Sequence, residues 1–157
     1  DFVGWDFANN DNNPFDDHAH GTHVAGTIGA EGNNAEGISG VAWKVQMAAL
    51  KFLAGDGRGL TSDAVLAVNY ARSMGFHLTN NSWGGYGISS ALYQAISEAN
   101  DEGQLFVAAA GNDGVNVDGG ADPLYPAAYD LPNIISVAAF DIDTEEDIKQ
   151  LNPPTGA

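Results

Sequence analysis

Apolar and polar positions divide the chain into a turn-rich start, a middle in which helical and extended patterns alternate, and an end without period. Residues 1–19 are dominated by Asn, Asp and Pro, which compete with regular backbone hydrogen bonding, so turns are expected there. From His20 the pattern changes. HGTHVAGTIG over residues 20–29 sets Val24, Ala25 and Ile28 among small residues, which predicts a tightly packed, buried helix with close backbone approach at glycine. Residues 31–37 read as a polar loop. Val45–Leu53, broken only by Gln46 and Lys51, predicts a buried strand, and residues 54–59 a turn-forming loop.

Thr61 or Ser62 can cap a helix over Asp63–Met74, with Ala64, Val65, Val68 and Ala71 inward and Gly75 as its stop. His77–Asn81 predicts a short strand. Ser89 or Ser90 opens a second amphipathic helix that runs to about Asp101 and ends at Gly103. Leu105–Ala110 and Ile134–Ala139 predict two more buried strands, and residues 141–157, acidic and then Pro-rich, a loop or frayed tail. This rhythm predicts an α/β fold in one domain over residues 1–157: three layers, α/β/α, around a mostly parallel sheet. Ligands of such folds gather at the carboxyl ends of strands, so the loops after Leu53, Asn81 and Ala110 are expected side by side.

Composition narrows the classes. The 157 residues are 44% hydrophobic, enough for one core, and no apolar run approaches the roughly 20 residues that span a bilayer. Five Lys and Arg against 21 Asp and Glu give a net charge of -16, which disfavours nucleic acid and membrane surfaces as partners. Calcium, cationic peptides or a saline habitat are all compatible with that charge. Without cysteine there is neither a disulfide framework nor a thiol nucleophile. Residues 1–6 carry no leader pattern, so the chain is expected to begin inside a longer polypeptide.

The candidate chemistry lies in four segments: HGTHVAGT at 20–27, Leu53–Gly59, Asn80–Gly85 and Ala108–Gly114. Together, and in this order, they resemble the subtilisin-like serine proteases (subtilases), over nearly the whole chain. The resemblance implies a secreted serine endopeptidase that cleaves polypeptides through an acyl-enzyme. It makes His20 the general base, a role that imidazole fills because its pKa lies near working pH. The residue-level alternative for His20 is a histidine packed at a helix start. The Asn112 amide is implied as oxyanion donor; the loss of that donor in subtilisin itself costs about 10²–10³ in kcat. On turn chemistry alone Asn112 is a loop residue of Gly-Asn-Asp-Gly.

Gly57, Arg58 and Gly59, with Ser82, Trp83, Gly84 and Gly111, are implied to hold an extended substrate as an added strand. Asp113 is implied at the rim of the primary specificity pocket, where its charge favours basic side chains. Asn34 with the carbonyls of Gly32, Glu36 and Ile38 resembles a family calcium loop, and oxygen ligation suits calcium; a solvated Asn-Gly turn is the other reading. His23 is expected to be buried and hydrogen-bonded. His18, His20 and His23 allow a soft-metal site. Asp6, Asp11, Asp16 and Asp17 form an acidic patch, read as a solvated loop.

Two family motifs do not occur in the chain: the Asp-Thr-Gly or Asp-Ser-Gly turn of the catalytic aspartate and the Gly-Thr-Ser-Met-Ala of the nucleophile. The chain is therefore expected to be a partial peptidase domain, inactive alone, with apolar surface open to self-association. The rival expectation is a non-catalytic peptide-binding module that keeps the cleft.

Overall fold

The computed structural model describes residues 4–114 and 123–139. Its centre is a parallel ladder of β3 (Leu78–Asn81), β5 (Leu105–Ala109) and β7 (Ile134–Val137), with β5 between the other two. Leu78 pairs with Leu105 and Asn81 with Ala108, while Phe106 pairs with Ile134. A second parallel pair joins β1 (Gly4–Asp6) to β2 (Ala49–Lys51). A short antiparallel pair joins β4 (Gly85–Tyr86) to β6 (Leu124–Tyr125). The α/β class and the mostly parallel pairing agree with the sequence pattern.

The helices are α1 (His20–Gly29), α2 (Thr61–Ser73) and α3 (Ser90–Asp101). The last two pack on each other and bury Ala64, Ala67, Val68 and Ala71 of α2 with Leu92, Ala95, Ile96 and Ala99 of α3. Small residues on that face let the two backbones come close, and Phe52, Phe106, Ala127 and Tyr129 complete the core. Asn133 ties the layers together: its buried amide donates to the carbonyls of Ile96 and Gln104, at 3.2 and 3.0 Å. Burial raises the Tyr129 pKa above the usual phenol value, although its hydroxyl donates to the Ser89 carbonyl.

Several expectations need correction. The turn-rich start contains β1, whose three residues carry no strand pattern and are extended only because β2 pairs with them. The strand expected over Val45–Leu53 narrows to Ala49–Lys51, because Val45 and Met47 lie against Gly29 at the end of α1 and remain half-exposed. α1 forms where expected but buries no residue fully. The segment after it closes its end, with Gly40, Val41 and Ala42 donating to the carbonyls of Ala30, Thr27 and Ile28. α2 begins at Thr61 with Leu60 in the cap position, so neither Thr61 nor Ser62 caps it. For α3 the cap is Ser89, whose hydroxyl accepts from the Leu92 amide at 3.2 Å. The tail expected at 141–157 lies outside the described residues.

Candidate active site

α1 starts at His20 because of a carboxylate four residues upstream. Asp16 Oδ1 accepts from the amides of His18 and Ala19, and Oδ2 from the amide and hydroxyl of Thr22, all between 2.6 and 3.0 Å. Helix-start amides have no partner within the helix, and a negative charge suits that end of its dipole. The Thr22 hydroxyl and then the backbone amides hold the Asp16 carboxyl well below the usual carboxylate range. The turn also forces Ala19 to φ 74°, a left-handed conformation that costs a non-glycine residue strain.

His20 is exposed, and its ring meets that of His18 edge to face with centroids 6.4 Å apart. No carboxylate of the described residues orients it. His18 also reaches the Gly57 turn: a methyl placed on Gly57 would lie 3.1 Å from His18 Nε2. That turn is tight. Gly57 has φ 76°, its amide donates to the Ala54 carbonyl, and the Ala54 amide donates to the Arg58 carbonyl. Asp56 accepts from the Arg58 amide at 3.0 Å, leaving the Arg58 side chain exposed. Gly59 bridges to Leu53, and a side chain there would run into the Phe52 carbonyl.

Phe52 connects this turn to the segment after β3, since its ring meets Trp83 edge to face at 4.9 Å. Trp83 Nε1 donates to Asn81 Oδ1 at 3.2 Å, and the Ser82 hydroxyl accepts from Asn80 Nδ2 at 2.9 Å. Gly84 and Gly111, the latter at φ 95°, both lie against the side chain of Leu124. Beyond Gly111, Asn112 is exposed and Asp113 accepts from the Tyr86 hydroxyl at 2.6 Å. Contacts thus run from His20 through His18 to the Gly57 turn, on to Trp83, and across to the Gly111–Asp113 loop. The three loops expected to be neighbours are linked.

Other candidates do not assemble. His23, expected buried, is exposed, and no described element covers that side of α1. The three-histidine site fails with it: among the described residues no group of three or more His, Cys, Asp or Glu could hold a metal. The acidic residues are not one patch. Asp6 is buried and paired with Lys51 at 3.2 Å, Asp17 approaches the same ammonium at 3.5 Å, and Asp11 accepts from the Asn13 amide. For Asp6, burial raises the pKa, yet bonds from Asn9 and the Lys51 charge outweigh it and the net shift is downward.

The Gly32–Ile38 loop fits calcium poorly. Three carbonyls and one amide are four neutral oxygens, where calcium takes roughly six to eight oxygens, usually with carboxylates. Asn34 Oδ1 already accepts from the Glu36 amide at 3.1 Å, and Gly32 is covered by the Trp43 ring.

Sequence reasoning missed three residues. Asp16 had a faint signal, an acidic residue just ahead of a helical run. Tyr86 and Leu124 had none, because only the β4–β6 pairing brings Leu124 to Gly84 and Gly111.

Comparison with known proteins identifies the family. Residues 2–152 match the Subtilase family. Thermitase of Thermoactinomyces vulgaris is 39% identical over 138 residues, 88% of this chain and 47% of that protein. A thermophilic serine proteinase of Bacillus sp. (strain AK1) is 40% identical over 138 residues, 88% of this chain and 33% of that protein. Subtilisin BL of Lederbergia lenta is 41% identical over 126 residues, 80% of this chain and 44% of that protein. The chain spans less than half the length of these relatives. With residues 2–152 of the 157 inside the match, the chain belongs to the subtilase family.

Proposed function

We propose that this chain is the central part of the catalytic domain of a serine endopeptidase. His20 is its general base and Asn112 its oxyanion donor. A polypeptide substrate lies extended between Gly57–Gly59 and Ser82–Gly84, with Gly111 beside it. The observation that carries the reading is the linked set of loops at the carboxyl ends of β2, β3 and β5. A helix start fixed by Asp16 delivers an exposed imidazole at one end of that set, and an exposed amide stands at the other.

In the reaction, His20 takes the proton of a serine hydroxyl as it attacks the scissile carbonyl, then gives it to the leaving amine. Asn112 donates to the oxygen that becomes negative. Its loop position is held from behind by Gly111 against Leu124 and from the side by the Tyr86–Asp113 bond. None of the chain's own serines stands in a nucleophile motif, so the reading gives the chain the base, the oxyanion donor and the cleft. Secretion belongs to the same reading and rests on family analogy; among the described residues no helix is long and apolar enough to cross a membrane. A calcium ion at Gly32, Asn34, Glu36 and Ile38 would need further oxygens from elsewhere.

The test is a serine-directed fluorophosphonate, read by intact mass beside a peptide-hydrolysis assay and a peptide-binding titration. The expected result is binding of extended peptides with no adduct and no turnover. An adduct on one of this chain's serines would refute the division of roles, and absence of peptide binding would refute the cleft.

A further inference from the structure

Leu124 sits where the two proposed substrate-gripping segments meet. Gly84 follows β3 and Gly111 follows β5, and neither has a side chain to place between them. A methyl built on Gly84 would lie 2.8 Å from Leu124 Cδ2, and one built on Gly111 would lie 2.7 Å from the same atom. One side chain therefore packs on both glycines. Its own position is fixed, because β6 pairs with β4 in a register that sets Leu124 opposite Tyr86 and Tyr125 opposite Gly85. Only 9% of Leu124 is exposed.

In the proposed cleft, two glycines that both lie against one side chain give a slot walled by main chain that a substrate side chain can enter. The depth of such a slot depends on what lies beneath it, and here that is a branched four-carbon side chain. We infer that Leu124 sets the side-chain preference of the cleft by filling the slot between Gly84 and Gly111, and so restricts the substrate residue there to Gly, Ala or Ser. This inference rests on the cleft reading above. The Asp113 carboxylate, which the family resemblance puts at the rim, is engaged by the Tyr86 hydroxyl at 2.6 Å and adds no depth. A long basic side chain thus finds a charge at the mouth and no room below it. Overfilling a packed site forces displacement of side chains or backbone, so size is the stronger filter.

The experiment uses the 157-residue chain and four fluorescent tetrapeptide amides that differ only in the last residue: Gly, Ala, Leu or Phe. Wild type is expected to bind the Ala peptide at least about tenfold more tightly than the Phe peptide. In Leu124→Gly the Phe peptide gains at least about tenfold, while the Ala peptide stays within about threefold; Leu124→Ala shifts the same way by less. If wild type and both variants rank the peptides alike, Leu124 is not the determinant, although the cleft reading stands. If no peptide binds any of the three proteins, the cleft reading falls and this inference with it. Methyl NMR of wild type gives a readout that does not depend on the variants folding. The Ala peptide is expected to shift the Leu124 methyl resonances, and unmoved methyls on a saturated protein would overturn the inference.

Discussion

Replacing Asp16 tests whether one carboxylate builds the start of α1 and so positions His20. The two oxygens divide the work: Oδ1 serves the His18 and Ala19 amides, and Oδ2 serves the amide and hydroxyl of Thr22. Loss of a helix cap costs about 0.5–2 kcal/mol. Asp16 also closes the turn before the helix and carries a charge at the positive end of the dipole, so Asp16→Ala is expected near the top of that range, about 2 kcal/mol. For a chain of this size that is a Tm fall of roughly 4–8 °C. Asp16→Asn keeps one acceptor and turns the other into a donor that faces a donor, so it should lose about half as much. The sign with pH follows from the lowered pKa in the folded protein. Above the carboxylate range of the unfolded chain, about pH 4, the contribution is fully present; it is lost as pH falls toward the folded value. Thermal unfolding followed by circular dichroism from pH 7 to pH 2 reads all three proteins. The gap between wild type and Asp16→Ala should narrow below about pH 4. An Asp16→Ala protein within about 0.5 kcal/mol of wild type at pH 7 would refute the capping argument. So would an Asp16→Asn protein equal to wild type.

Further substitutions address the scaffold of the proposed cleft. Lys51→Met removes the cation beside buried Asp6 and should cost about 3 kcal/mol in urea unfolding, with part recovered in the Asp6→Asn/Lys51→Met double variant. No recovery in the double variant would show that the pair is not the source of the loss. Gly59→Ala drives a methyl into the Phe52 carbonyl and should cost about 1–3 kcal/mol, whereas Gly85→Ala, with open space around it, should lie within about 0.5 kcal/mol of wild type. Equal costs at the two glycines, by the same unfolding assay, would mean that close approach does not constrain the 53–59 turn.

The sequence by itself determined what depends on residues close together in the chain. The α2 and α3 faces follow from apolar residues every three or four positions, with Gly75 and Gly103 in left-handed stops. β5 follows from a run of apolar residues that suits a strand flanked on both sides. His20, the Gly57 turn, Trp83 and Asn112 could be singled out for the same reason: each lies within a local motif. Tertiary structure decided the rest. β1 and the β4–β6 pair have two or three residues each, too few for a period, and exist because a distant strand supplies their hydrogen bonds. The burial expected for α1 and His23 failed because periodicity shows which face of a helix is apolar and cannot show what packs on it. Leu124 is the clearest case. It stands 40 residues after Gly84 in sequence, and nothing in its neighbourhood marks it. Only the register of β4 with β6 sets it against two glycines that follow different strands, because contact between remote residues is a property of the folded chain.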